Sequence, residues 1–135
     1  MDSRHTSSMS KRIGGNVLAN KHGYLAEQIA IERYNCEIKV NALIDSEYQN
    51  KPLEVKSCSV WVTDNYAANY RRRGRYTITK EQHDVLLAND GYYFFCVFDA
   101  IDNPILSKIV RARLIPAIEG KSAQLVWTKI FRELE

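Results

Sequence analysis

Residues 43–59 read LIDSEYQNKPLEVKSCS. Two short runs, 43–48 and 53–59, flank Gln49-Asn50-Lys51-Pro52, a cluster of turn formers. The pattern predicts a β-hairpin with Asp45 on the first arm and Glu54 and Lys56 on the second. Residues two apart on a strand point to the same face, so Glu54 and Lys56 are neighbours and the hairpin brings Asp45 alongside them. Two carboxylates at close range resist joint ionisation unless a cation lies between them. Mg²⁺ suits such a place, because it takes hard oxygen ligands, keeps several waters and bridges to phosphate oxygens. A lysine next to it can orient a water, take its proton or offset the charge of a phosphorane. The plainer alternative is a solvated strand face carrying a weak Glu–Lys ion pair. The strand geometry is the same under both.

The surroundings favour the first. Residues 16–34 predict a helix, with Leu18, Leu25 and Ile29 in one apolar stripe. Glu27 on that helix has Gly23, Ala30 and Ile31 as its neighbours at three and four positions, a small-to-apolar surface where a carboxylate needs a partner. Residues 36–42 alternate as a half-buried strand does. Residues 59–75 have no sustained period and predict a long basic loop, of a length usually reserved for function. Arg75-Tyr76-Thr77-Ile78 reads as a short strand. Thr79 and Gln82 match a capping box at the start of a helix over 80–89, and Gly91 stands where a C-cap glycine belongs. Tyr92–Phe98 (YYFFCVF) is apolar without alternation, as in a strand buried on both faces. A partner strand follows over 105–110, then a short helix over 114–119, and 123–131 reads as strand or helix. The fold class is α/β, an αβββαβ core with a central mixed sheet flanked by helices. Residues 1–15, polar and Ser-rich, predict a flexible tail to a single domain over 16–135.

The bulk numbers agree. A chain of 135 residues is long enough for one hydrophobic core. Its net charge is only +3, yet from Lys56 to Lys80 the cations Lys56, Arg71, Arg72, Arg73, Arg75 and Lys80 face the single acid Asp64. A concentrated patch of that kind suits a polyanion. With Tyr66, Tyr70 and Tyr76 among them, Arg71, Arg72, Arg73, Arg75 and Lys80 are candidate nucleic-acid phosphate contacts. Cys36, Cys58 and Cys96 are odd in number and widely spaced, which predicts buried thiols in a reducing cytoplasm. No run reaches membrane-span length, and the start lacks the apolar core of a signal peptide. No phosphate-loop glycine pattern points to an organic cofactor. His5, His22 and His83 have no metal spacing, His83 reads as a packed histidine, and Trp61 and Trp127 read as packing residues, with base stacking open to Trp61.

In order and spacing these residues resemble the PD-(D/E)xK nuclease superfamily, the fold of type II restriction enzymes and archaeal Holliday-junction resolvases. The matching pieces are G-Y-L-A-E at 23–27, Asp45, E-V-K at 54–56, then the helix with Gln82 and the apolar strand, spanning 23–98. Ile44 replaces the proline nominal in the motif. The resemblance implies Asp45, Glu54 and the Val55 backbone carbonyl as metal ligands, Lys56 as the catalytic lysine and Glu27 as a supporting acid holding a metal directly or through water. Gln82 is either a helix-capping side chain or an auxiliary contact to the attacking water or the phosphate. It also implies Mg²⁺, with Mn²⁺ able to substitute, and a DNA endonuclease acting on duplex or branched DNA. Cutting both strands requires two sites and so a homodimer. Two alternatives stand beside it: a Holliday-junction resolvase of the same fold, and a non-catalytic nucleic-acid-binding module in which Glu54 and Lys56 form a surface pair.

Overall fold

The computed structural model describes residues 16–38, 43–44, 46–63 and 71–133. In chain order the elements are α1 (Asn16–Tyr34), β1 (Glu37–Ile38), β2 (Ser46–Tyr48), β3 (Lys51–Ser59), β4 (Trp61–Thr63), β5 (Arg71–Arg73) and β6 (Arg75–Thr79). They continue with α2 (Lys80–Ala88), β7 (Tyr92–Phe98), β8 (Pro104–Arg111), a 3₁₀ turn (Ala112–Leu114), β9 (Ser122–Val126) and α3 (Trp127–Glu133). The main sheet is five-stranded in the order β1-β2-β3-β7-β8. Among the described residues only its β3–β7 pairing is parallel. The mixed α/β sheet flanked by helices is therefore the expected one.

Alternation along β3 and β7 makes two cores. Leu53, Val55, Tyr92, Phe94, Cys96 and Phe98 face α1, which lays Ala26, Ile29 and Ala30 onto them with Leu25 at the margin. The side chain of Leu18, also expected in that stripe, lies outside the described residues. Cys58, Tyr93, Phe95 and Val97 face the opposite way, into a core closed by Tyr76, Ile78, Leu86, Ile115 and Ile130. Every residue of β7 is buried, which explains why its sequence shows no period of two. Burial at about 1.5–3 kcal/mol per large side chain makes this strand a major apolar contribution to the fold. Burial also holds the thiols in their neutral form, raising Cys36 and Cys96 to about 11 and Cys58 to about 12.

The hairpin is tighter than its turn-forming cluster suggests. Gln49 and Asn50 alone make the turn, with φ of 52° and 65°, and Lys51 and Pro52 already belong to β3. Positive φ at both central residues is the two-residue arrangement whose twist matches paired strands. Of the strand expected over 36–42, Glu37–Ile38 is present and 39–42 lie outside the described residues.

Three expectations need correcting. The basic segment is not a loop throughout: β4 and β5 pair as an antiparallel ribbon, Trp61 with Arg73 and Thr63 with Arg71. An arginine-rich ribbon with little apolar alternation carries no strand signal, and its connection, 64–70, lies outside the described residues. The helix expected over 114–119 is only the 3₁₀ turn ending at Leu114. Pro116 forces the preceding Ile115 into extended backbone at ψ 130°. Residues 123–131 are both strand and helix, since β9 pairs with β6 and then runs directly into α3.

At the end of α2 the left-handed residue is Asp90, at φ 53°, rather than Gly91. The Gly91 and Asp90 amides bond back to the Leu86 and Leu87 carbonyls, a Schellman closure. Gly91 is required for another reason: a Cβ there would stand 2.6 Å from the Pro52 carbonyl oxygen and 2.9 Å from a Leu86 methyl. Across the molecule, α1 is clasped to the β7–β8 turn, where Asp102 accepts from Lys21 at 2.8 Å and lies 2.7 Å from His22 Nε2. Those two contacts hold the Asp102 carboxyl below its usual range. No helix among the described residues is long and apolar enough to cross a membrane.

Candidate active site

β3 places Glu54 and Lys56 on the sheet face opposite α1. The Lys56 ammonium lies 3.3 Å from Glu54 Oε2, with 17% and 12% of the two side chains exposed. This is not the solvated strand pair of the plainer alternative. A pair taken this far out of water needs further polar contacts to offset its desolvation. Lys56 has one in Gln82, whose Oε1 accepts from Nζ at 3.3 Å.

Gln82 is a junction. Its backbone amide is capped by the Thr79 hydroxyl at 3.3 Å, as the sequence predicts. Its side chain reaches further: Oε1 also accepts from Thr79 Oγ1 at 3.2 Å, and Nε2 donates to the Leu43 carbonyl at 3.4 Å. One amide thus links the first turn of α2, the lysine of β3 and the chain two residues before Asp45. The helix position fixes this, because the first turn of α2 emerges from β6 directly over the Lys56 face.

Asp45 lies outside the described residues. Its covalent neighbours Ile44 and Ser46 are both buried, and Ser46 pairs with Leu53, the residue before Glu54. Among the described residues β2 pairs β3 only at Lys51, Pro52 and Leu53, so Glu54 is the first residue beyond that pairing. Glu27 is half-buried on α1, the helix covering the other face of the sheet. Among the described residues no group of three or more His, Cys, Asp or Glu side chains is placed to hold a metal ion. The Glu54 carboxylate and the Val55 carbonyl are hard oxygen donors, the kind that Mg²⁺ takes.

Sequence reasoning did not find the layer behind Glu54. Tyr93 pairs with Glu54 across β3 and β7, and its hydroxyl lies 2.7 Å from His83 Nδ1. Burial, and then the Glu54 charge, push the Tyr93 hydroxyl well above its ordinary value. Burial lowers His83, outweighing the opposing influence of Asp84 and the Ile115 backbone. His83 is therefore a fully buried, neutral histidine, packed as expected and unsuited to act as a solvent-exchanging base. Only a pairing register could have found this layer, and local spacing does not supply one.

The basic residues divide by partner. Lys80 is engaged by Asp84 at 2.8 Å, and Arg75 donates to Gln124 at 3.3 Å. Arg71 and Arg73 lie over the exposed Trp61 ring, 4.6 and 5.0 Å from its centroid. Among the described residues no carboxylate pairs with Arg71, Arg72 or Arg73. A family model described as the PD-(D/E)XK nuclease superfamily domain matches residues 15–132. A search among curated proteins finds no match.

Proposed function

Because the chain belongs to the PD-(D/E)XK nuclease superfamily, we propose that it is a Mg²⁺-dependent endonuclease that hydrolyses phosphodiester bonds in DNA. The observation that carries this is the half-buried Glu54–Lys56 pair tied to Gln82. Two side chains on one strand and one on the following helix converge where a surface ion pair needs no such support. Asp45, Glu54 and the Val55 carbonyl would hold the ion, Mn²⁺ in place of Mg²⁺ where supplied, with Glu27 in support. When bound, the ion supplies Lewis-acid polarisation of the phosphate and a water of lowered pKa. Lys56 then offsets charge developing on the phosphate oxygens, or takes the proton of the attacking water. Gln82 keeps its amine in place, and Arg71, Arg72 and Arg73 hold the backbone of the DNA. One site cuts one strand, so a double-strand break calls for a homodimer, which light scattering with and without DNA would register.

The test is cleavage of supercoiled plasmid with Mg²⁺ by Asp45→Asn, Glu54→Gln and Lys56→Ala, each checked for native circular dichroism. Each is expected to lose about 100-fold or more. A folded Lys56→Ala protein that cuts as fast as its parent would sink the assignment.

A further inference from the structure

A concavity lies between β5 and α3, a cleft of about 290 Å³ lined by Arg73, Trp127, Thr128, Phe131 and Arg132. Its walls are fixed from within. The Trp127 backbone amide donates to the Gly74 carbonyl at 3.2 Å, and its indole Nε1 donates to the Val60 carbonyl at 3.0 Å. Gly74 permits this close junction, since a Cβ there would collide with the Ser59 carbonyl. The indole N–H is therefore spent on the fold, and what Trp127 offers the cleft is ring surface. Phe131, one helical turn on, adds a second ring.

The rims are cationic. Arg132 is exposed, and among the described residues neither it nor Arg73 has a carboxylate partner. Arg73 also lies over Trp61, so the cleft is continuous with the basic ribbon. Both rings also pack against the core, and the Lys108 ammonium lies 5.6 Å from the Phe131 ring centroid. A bare phosphate would leave the ring surface that remains to the cleft unused, and an apolar ligand would leave the guanidiniums unmatched. A nucleobase with its own phosphate satisfies both. Inside a duplex both faces of a base are covered by its neighbours, so the base that enters must be unpaired.

We infer that this cleft binds an unpaired nucleotide, its base against the Trp127 and Phe131 rings and its phosphate between Arg73 and Arg132. The preferred substrate is then DNA with a single-stranded portion. That use rests on the endonuclease assignment, whereas binding does not, and the experiment separates them. Trp61 and Trp127 are the two tryptophans of the chain, so Trp61→Phe leaves Trp127 as the sole emitter. Without divalent metal, a short oligothymidylate should quench this emission, and a blunt duplex of two annealed strands with the same total number of phosphates should not. Adding Arg132→Ala should raise the half-saturating concentration about tenfold, and Arg132→Lys should recover most of that loss. Unchanged emission when anisotropy shows the oligonucleotide bound would overturn the inference, as would unaltered affinity in a natively folded Arg132→Ala protein. Quenching in a protein that cuts no DNA would uphold the cleft and remove the nuclease assignment.

Discussion

Lys56 is held from two sides, by Glu54 and by the Gln82 carbonyl, both at 3.3 Å. A flexible four-carbon side chain carries considerable rotamer entropy, and each fixed partner reduces what must be lost on reaching the reactive geometry. Gln82→Ala is therefore expected to lower kcat about tenfold, with little change in KM, because its side chain touches the lysine. A Gln82→Ala enzyme with parental kcat would show that the contact is incidental to turnover. The sequence marks Gln82 as a helix-start residue through its spacing from Thr79. Spacing within a helix cannot say which strand lies under its first turn, so the cap was legible and the Lys56 contact was not.

Elements were readable where a period or a turn residue imposed them and unreadable where neighbours from elsewhere did. The hairpin, the buried β7 strand and the capped α2 follow from local patterns. The β4–β5 ribbon does not, because its alternation is among arginines, and the break of 123–131 into β9 and α3 depends on pairing with the distant β6. Gly91 shows the difference at one residue. Its place after α2 is legible, but its cause is the approach of Pro52, one strand away. A methyl group at 91 must displace backbone at the point where β3 and β7 begin their parallel pairing, Leu53 with Tyr92. Gly91→Ala is expected to cost about 1–3 kcal/mol, only partly offset by the lower entropy of the unfolded chain. The melting temperature should fall by about 3–8 °C. An unchanged or raised value would mean that the turn yields freely. Since Glu54 lies two residues from Pro52, Mg²⁺-dependent cleavage by this variant measured well below its melting temperature should fall as well.

For the whole molecule, a net charge of +3 conceals an uneven surface. Cations whose charge is already met by a carboxylate inside the fold release few counterions when DNA arrives, and cations without such a partner release the most. Lys80 belongs to the first kind, bound to Asp84 at 2.8 Å. Arg71 and Arg73 belong to the second, stacked on Trp61 with no carboxylate among the described residues. Cation–π stacking orders the guanidiniums without neutralising them, so the ribbon presents fixed positive charge. Each phosphate contact contributes roughly −0.9 to the slope of log affinity against log salt on duplex DNA. Arg71→Ala with Arg73→Ala should therefore make that slope shallower by about two and weaken binding alike for all sequences, as contacts to the backbone do. Lys80→Ala should change it by less than about one. Fluorescence anisotropy on a blunt duplex over a salt series, in the Glu54→Gln background to prevent cleavage, gives all three slopes. A double arginine variant with the parental slope would move the duplex path off the ribbon, and a Lys80→Ala slope as shallow as that of the double variant would move it onto α2.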